Sequence, residues 1–99
     1  MTIEQAAFQT LMAVGVPPHN KGFHYLQAAI VMCYREPERM EAITKNVYPY
    51  IAQRFGTSSA NVERAMRYAR MCSRSTIKTN AAFIAAAVWF LKQLDEPPV

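Results

Sequence analysis

The sequence contains little glycine and little cysteine, and each shortage excludes a class of protein. Three glycines among 99 residues, together with 52% apolar residues, exclude a disordered chain and indicate a folded one. Cys33 and Cys72 form no CxxC pair and lie in apolar stretches, so we predict reduced thiols in the core rather than a disulfide or a zinc site. The length suits one small domain and is too short for a two-domain enzyme.

The sequence also lacks the signatures of membrane, secreted, metal-binding and catalytic proteins. Its longest apolar run, residues 81–91, is far shorter than the roughly 20 residues that span a bilayer, and the N-terminus has no secretory signal pattern. His19 and His24 are not at the i, i+4 spacing that lets two helical imidazoles share a metal. The glutamates around Pro37 have no nucleophile or ligand set nearby. We therefore predict a cytoplasmic protein that is not an enzyme and has no metal, cofactor or membrane contact.

Positive charge is concentrated in one third of the chain. Residues 45–78 contain seven lysines and arginines but a single acid, Glu63, whereas the segments on either side are each slightly negative. The whole chain has a formal net charge of +4. A basic segment of this kind is typical of a protein that binds a polyanion, although a solvated basic surface has the same composition.

Apolar spacing predicts helices in the first half of the chain, and no strand-like alternation of useful length occurs. Thr2 and Gln5 have the spacing of a capping box, and Gly15 is placed to end the first helix. The second helix is predicted over about residues 21–35 and forms the centre of the core. A third, short helix is predicted over residues 37–46, with Pro37 in its first turn.

The second half of the chain has the pattern of a helix-turn-helix. Pro49 is predicted to begin a fourth helix that ends at Phe55, and Gly56 then supplies a sharp turn. The hydroxyl residues that follow are candidate N-caps for a longer basic helix over about residues 58–74. We therefore predict a helix-turn-helix over about residues 48–74, with the longer helix as its recognition helix.

The last predicted helix covers about residues 81–94 and follows Asn80, which is the expected N-cap. Its first eleven residues are all apolar, so it must be buried on several sides. Burial in the core of this domain and burial in a dimer interface both satisfy that requirement, and we favour the core. The fold class predicted for the whole chain, residues 1–99, is a compact all-α helical bundle that contains a helix-turn-helix.

The side chains of the predicted recognition helix suit base recognition in the DNA major groove. Arg pairs with guanine, Asn pairs with adenine, and Glu accepts from cytosine N4. On this ground the candidate base-reading residues are Asn61, Glu63, Arg64 and Arg67. The candidate phosphate-binding residues are Lys45, Arg54, Ser58, Ser59, Arg70 and Arg74. The alternative is an amphipathic surface helix on which Glu63 and Arg67 form an ordinary i, i+4 pair.

Five blocks of residues have a familiar order. They are Gly15-Val16-Pro17; Lys21-Gly22-Phe23 with Tyr25-Leu26 and Ala29-Ile30; Ile43-Thr44-Lys45 with Tyr48-Pro49 and Ile51-Ala52; Val62-Glu63-Arg64-Ala65 with Arg67; and Thr79-Asn80 with Phe83-Ile84-Ala85. In this order they resemble the C-terminal DNA-binding domain of the master sporulation response regulator of spore-forming bacteria. The resemblance implies an all-helical domain that binds a TGTCGAA-like promoter box, regulates transcription and contacts the sigma subunit of RNA polymerase.

The resemblance also implies roles for individual residues. Glu63, Arg64 and Arg67 fall on matching positions of the recognition helix, and Lys45 falls on a lysine at the DNA backbone. Asn61 stands where the family usually has Arg, after Ala60 in place of Ser. Tyr68, which joins the candidate base-reading residues, replaces a His. These differences predict that the preferred bases differ even where the docking on DNA is shared.

Two larger departures concern regulation. About fourteen residues precede Gly15, so we expect an effector domain that stands alone, without the receiver domain of the family. Residues 73–78 replace a longer helical connection, which changes the expected polymerase contact and dimer geometry. The expected partner is double-stranded DNA, and the sigma subunit and a second copy of the chain are further candidates. The alternative function is a protein-interaction module that binds a regulator or a polymerase subunit through residues 81–91.

Overall fold

Six α-helices and one 3₁₀ segment make up most of residues 1–95, which are the residues that the computed structural model describes. The helices are α1 (Ile3–Val14), α2 (Lys21–Arg35), α3 (Ile43–Asn46), α4 (Tyr48–Phe55), α5 (Ser59–Met71) and α6 (Asn80–Asp95), and the 3₁₀ segment is Pro37–Glu41. These 95 residues contain no strand. The all-α prediction is therefore confirmed.

Local signals in the sequence set the ends of α1 and α2 as predicted. The Thr2 hydroxyl accepts a hydrogen bond from the Gln5 N–H at 3.1 Å, and the Gln5 side chain accepts one from the Thr2 N–H at 2.9 Å. Gly15 ends α1 with a φ of 87°, a left-handed conformation that favours glycine. The second helix has the predicted bounds and lies at the centre of the fold, where it packs against α1, α5 and α6.

The prediction of one continuous helix over residues 37–46 is wrong. The chain forms the 3₁₀ segment, breaks at Ala42 with φ −154° and ψ 81°, and then forms α3. Pro37 lies in the first turn of the 3₁₀ segment, as its missing N–H favours. Ile43, which follows the break, is buried in the core. Arg39 lies before the break and donates to the carbonyl of Asn46 beyond it at 2.7 Å.

The turn between α4 and α5 follows the prediction closely. Pro49 lies in the first turn of α4, although the helix begins one residue earlier than predicted. Gly56 has a φ of 68° and ends α4, and the Ser58 hydroxyl caps α5 by accepting from the Asn61 N–H at 3.1 Å. These two helices and their short turn form the predicted helix-turn-helix unit.

The fifth helix is shorter than predicted: it ends at Met71 and not at about residue 74. The Ser73 hydroxyl donates to the Arg70 carbonyl at 2.6 Å, and the Arg74 N–H donates to the Val14 carbonyl at 2.9 Å. The chain therefore turns back to the end of α1. Cys72 is exposed at this turn, so the prediction of a core thiol is wrong for Cys72 and correct for Cys33.

The sixth helix buries one face and exposes the other. Phe83, Ile84, Val88 and Leu91 are among its buried residues, whereas Trp89 and its neighbour Phe90 are about half exposed. The predicted core role is therefore confirmed for one face. The predicted N-cap is wrong: the hydroxyl of Thr79, one residue earlier, accepts from the Ala82 N–H at 3.1 Å, and the side chain of Asn80 turns into the interior.

A close crossing between α2 and α5 sets the position of the predicted recognition helix. A Cβ atom built on Gly22 lies 2.0 Å from the Ala65 carbonyl oxygen and 2.7 Å from the Ala69 Cβ. These distances leave no room for any side chain at position 22. The two helices are therefore in direct backbone contact, and α5 is held against the central helix of the fold.

Candidate nucleic-acid interface

Four of the five predicted base-reading residues lie together on one exposed side of α5. Asn61, Arg64, Arg67 and Tyr68 line a groove of about 540 Å³ that also includes Met71 and, from the first turn of α2, Lys21. We call this surface the α5 groove. Tyr68 and Met71 are 64% and 71% exposed, so apolar as well as cationic groups are available to a partner.

Hydrogen bonds order the N-terminal end of the groove. The Asn61 amide donates from Nδ2 to the Thr57 hydroxyl at 3.1 Å, and its Oδ1 accepts from Nη2 of Arg64 at 2.7 Å. Thr57 belongs to the turn before α5. The guanidinium of Arg64 is therefore connected, through one side chain, to the turn of the helix-turn-helix.

Glu63 lies apart from the other base-reading candidates and does not line the α5 groove. Its carboxylate is 3.5 Å from Nε of Arg67, and both side chains are partly exposed. The i, i+4 pair that the sequence allowed is thus formed in the isolated protein. Such a pair contributes about 0.2–0.5 kcal/mol, which a charge-assisted contact to a nucleic acid exceeds.

The predicted phosphate-binding residues divide into different environments. Ser58 is the N-cap of α5, and Ser59 is half-buried in its first turn. Lys45 is exposed on α3. Arg54 is exposed on α4, where its guanidinium lies over the Phe55 ring at 5.5 Å.

Arg70, a predicted phosphate ligand, lies in the interior and not on the exposed side of α5. The residue is 8% exposed, and its guanidinium donates to Oδ1 of Asn80 at 3.0 Å and to the Ile77 carbonyl at 2.9 Å. The sequence contains the signal for this burial. Arg70 follows Met66 by four residues and therefore continues the buried stripe of α5 rather than its exposed side.

Arg74 lies beyond the end of α5, at the C-terminus of α1. Its guanidinium packs over Gly15, where a Cβ atom would come within 2.9 Å of Nη1, and it donates to the Ala13 carbonyl. This placement separates Arg74 from the helix on which the sequence analysis put it. Its contacts explain how the chain after α5 is fastened to α1.

A buried polar cluster joins three elements around α5, and the sequence analysis did not find it. Besides accepting from Arg70, the Asn80 side chain donates to the Tyr48 hydroxyl and to the Glu63 carbonyl, both at 3.1 Å. Burial raises the pKa of Tyr48 above its ordinary value of 10.0. The cluster connects α4, α5 and α6 and so gives α5 a second point of attachment besides its crossing with α2.

Lys21 is the second feature that sequence reasoning missed. It is exposed at the start of α2 and lines the α5 groove, because the crossing at Gly22 brings the first turn of α2 against α5. The neighbouring Gly22 was the available signal. A glycine inside a predicted helix indicates a close approach of another backbone.

Residues 1–95 contain neither a side-chain cluster that could hold a metal ion nor a helix that could cross a membrane. No group of three or more His, Cys, Asp or Glu side chains is placed to hold a metal ion. Within the same residues, no helix is both long enough and apolar enough to cross a membrane.

A helix-turn-helix whose second helix presents arginines on an exposed face defines a class of DNA-binding protein. The comparison with known families agrees with this class. The family model described as sporulation initiation factor Spo0A C terminal matches residues 7–87, and the chain belongs to that family. The family is one of DNA-binding domains that regulate transcription in sporulation, which confirms the resemblance found in the sequence.

Proposed function

We propose that the chain recognises a specific duplex DNA site by placing α5 in the major groove. The observation that carries this proposal is the α5 groove, in which Asn61, Arg64, Arg67 and Tyr68 share one exposed side of the helix. The second helix of a helix-turn-helix binds DNA through such a side. Because α5 packs closely on Gly22, its position in the fold is fixed. An accurate base contact requires a helix that is held in this way.

The proposed base contacts follow from the chemistry of the groove. Arg64 and Arg67 pair with guanine O6 and N7, and Tyr68 places an aromatic ring where it meets a thymine methyl group. Glu63 releases Arg67 on binding and accepts from cytosine N4, or it retains Arg67 and orients it. In the free protein the Glu63 carboxylate lies 3.5 Å from Nε of Arg67.

The proposed phosphate contacts come from exposed or half-buried residues on and around α5. Lys45, Arg54, Ser58 and Ser59 remain from the sequence analysis, and Lys21 is added because it lines the α5 groove. Arg70 and Arg74 are excluded, since their guanidinium groups bind the protein itself. Neutralising three phosphates with Lys21, Lys45 and Arg54 gives a slope of about −3 in a plot of log affinity against log salt concentration.

The test is fluorescence anisotropy with a duplex that contains a TGTCGAA box and a scrambled duplex of equal length, each at two salt concentrations. We expect a preference for the box of more than about tenfold, together with the salt slope given above. Arg64→Ala and Arg67→Ala each reduce the preference by about 1–3 kcal/mol. The control is Lys92→Ala, which removes the same charge from α6, where Lys92 lies over the Tyr34 ring.

The two outcomes of this experiment have different meanings. Equal, salt-dependent binding to both duplexes contradicts the box and leads to selection of a site from random DNA. A protein that binds neither duplex at low salt contradicts major-groove recognition by α5.

One observation favours a second function, in which the chain binds another protein. The outer face of α6 exposes Trp89 by 53% and Phe90 by 50%, and aromatic residues are enriched in protein interfaces. A sigma subunit or a second copy of the chain is the proposed partner. Phe90→Lys is expected to abolish that binding and to leave DNA binding intact. Phe83→Asp, on the buried face of the same helix, is expected to unfold the protein instead.

A further inference from the structure

We propose that Asn61 is a positioning residue for Arg64 and does not itself read a base. This inference rests on the proposed function, because it assigns a role within the α5 groove. It replaces the expectation from sequence that the amide of Asn61 pairs with adenine.

Both polar atoms of the Asn61 amide already form hydrogen bonds with other side chains of the protein. Nδ2 donates to the Thr57 hydroxyl at 3.1 Å, and Oδ1 accepts from Nη2 of Arg64 at 2.7 Å. A bidentate contact with adenine needs both of these atoms aimed at N6 and N7 of one base. Each of these atoms keeps one further site, a second N–H on Nδ2 and a second lone pair on Oδ1. The bonds to Thr57 and Arg64 nevertheless fix the plane of the amide along α5, so that the plane is set by the protein and not by a base.

The hydrogen bond between Asn61 and Arg64 orients the guanidinium for a contact with a base, and the bond between Asn61 and Thr57 supports it. A guanidinium has more N–H donors than one contact consumes, so a bond from Nη2 to Asn61 leaves donors for a bidentate contact with guanine. Arg64 is otherwise an exposed side chain with large rotamer freedom. Ordering it before binding lowers the entropy that association costs.

Thr57 extends this arrangement to the turn before α5. Its hydroxyl holds the Asn61 amide in one orientation, with Oδ1 directed at Arg64. The Asn61 N–H is in turn held by the Ser58 cap. Hydrogen bonds on both the side chain and the main chain therefore fix the position from which Arg64 is oriented.

The first test compares Asn61→Ala, Arg64→Ala and the double variant on duplexes in which each base pair of the bound site is changed in turn. We expect Asn61→Ala to lose about three- to tenfold in discrimination at the base pair that Arg64 reads, and at no other. The double variant is expected to match Arg64→Ala. Thr57→Val, which removes the hydroxyl at similar volume, is expected to give a smaller loss at the same base pair.

The inference is overturned if Asn61→Ala loses discrimination at a base pair that Arg64→Ala leaves unchanged, or if the two losses add in the double variant. We do not expect Asn61→Ala to unfold α5, because alanine has a higher helix propensity than asparagine at an exposed position. Gln53→Ala, which removes an exposed amide from α4, is the matched control and is expected to have no effect.

The second test needs no DNA. Nuclear magnetic relaxation of the Arg64 Nε–H group measures the order of the guanidinium in the free protein. We expect that order to fall in Asn61→Ala and to stay the same in Gln53→Ala. An unchanged Arg64 in Asn61→Ala contradicts this inference alone, whereas wild-type protein that binds no duplex contradicts the proposed function.

Discussion

At the residue scale, the two cysteines differ in their surroundings and therefore in their chemistry. Cys33 is fully buried, and burial raises the pKa of its thiol from 9.0 to about 11. Cys72 is exposed at the C-terminal end of α5. Because the thiolate is the reactive form, we expect Cys72 to react rapidly with Ellman's reagent at pH 8 and Cys33 to react only after unfolding.

Two variants check this assignment. Cys72→Ser is expected to remove the rapid reaction of the native protein, and Cys33→Ser is expected to leave it. Rapid reaction of both thiols in the native wild-type protein would contradict the burial of Cys33.

At the scale of elements, the α2–α5 crossing depends on the absence of a side chain at Gly22. Gly22→Ala places a Cβ atom 2.0 Å from the Ala65 carbonyl oxygen, and α5 must move. We expect a loss of about 3 kcal/mol or more in the free energy of unfolding, measured in urea, because main chain cannot yield as a side chain does. DNA affinity is expected to fall as well, since the α5 groove changes shape.

Gly56→Ala is the matched control for this substitution. Position 56 has open space around it, but its φ of 68° disfavours a Cβ atom. The expected cost is about 1–2 kcal/mol from backbone strain alone. Equal costs at the two glycines would contradict a steric origin for the effect at Gly22.

The polar cluster between α4, α5 and α6 gives a second prediction at this scale. Asn80→Ala removes the acceptor of Arg70 Nε and leaves a buried cation with one partner fewer. We expect a loss of about 1.5–3 kcal/mol in the free energy of unfolding. Gln93→Ala, at an exposed position of α6, is expected to stay within about 0.5 kcal/mol of the wild type.

A double variant tests whether Asn80 stabilises the fold by pairing with Arg70 or by packing alone. Adding Arg70→Met to Asn80→Ala replaces the unpaired cation with an apolar side chain, so part of the lost stability is expected to return. Losses that add in the double variant would show that Asn80 stabilises α6 independently of Arg70.

At the scale of the whole molecule, stability is expected to depend on pH in the alkaline range. Cys33 ionises near pH 9.0 in the unfolded chain and near 11 in the folded one. The folded state therefore binds the proton more tightly, and its stabilising contribution is complete below pH 9 and lost as the pH rises through about 11. Tyr48, whose pKa is also raised by burial, acts in the same direction at higher pH.

Urea unfolding at pH 8 and pH 10 measures this loss. Cys33→Ala removes the titrating thiol and is expected to flatten the pH dependence between these two values. A wild-type protein with equal stability at both pH values would contradict the raised pKa.

The predictable part of this fold rests on signals within a few residues of one another. Thr2 with Gln5, Gly15, Gly56 and Ser58 each set a helix end through a local hydrogen bond or a left-handed turn. The break at Ala42 was missed because it serves the burial of a neighbour rather than a local preference. A helix end is set by residues that are close in the sequence, whereas the burial of a side chain depends on the elements that pack around it.

The same distinction applies to the candidate site. Residue type singled out Asn61, Arg64 and Arg67, and the family resemblance added Tyr68. The structure brings these four side chains together in the α5 groove. Lys21 was missed because it comes from a helix nearly forty residues earlier in the chain. Arg70 was assigned by its charge, although its spacing of four residues from Met66 puts it on the buried stripe of α5.

The sequence by itself determined the helical class, most helix ends, the basic segment and the family, because these depend on composition, local spacing and residue identity. The tertiary structure alone decided two further features: the backbone contact between Gly22 and Ala65, and the pairing of buried Arg70 with Asn80. Each depends on how one helix packs against another, which spacing within a single helix does not determine. The orientation of Arg64 by Asn61 is local in the sequence, but it depends on which of several side-chain rotamers the hydrogen bonds select.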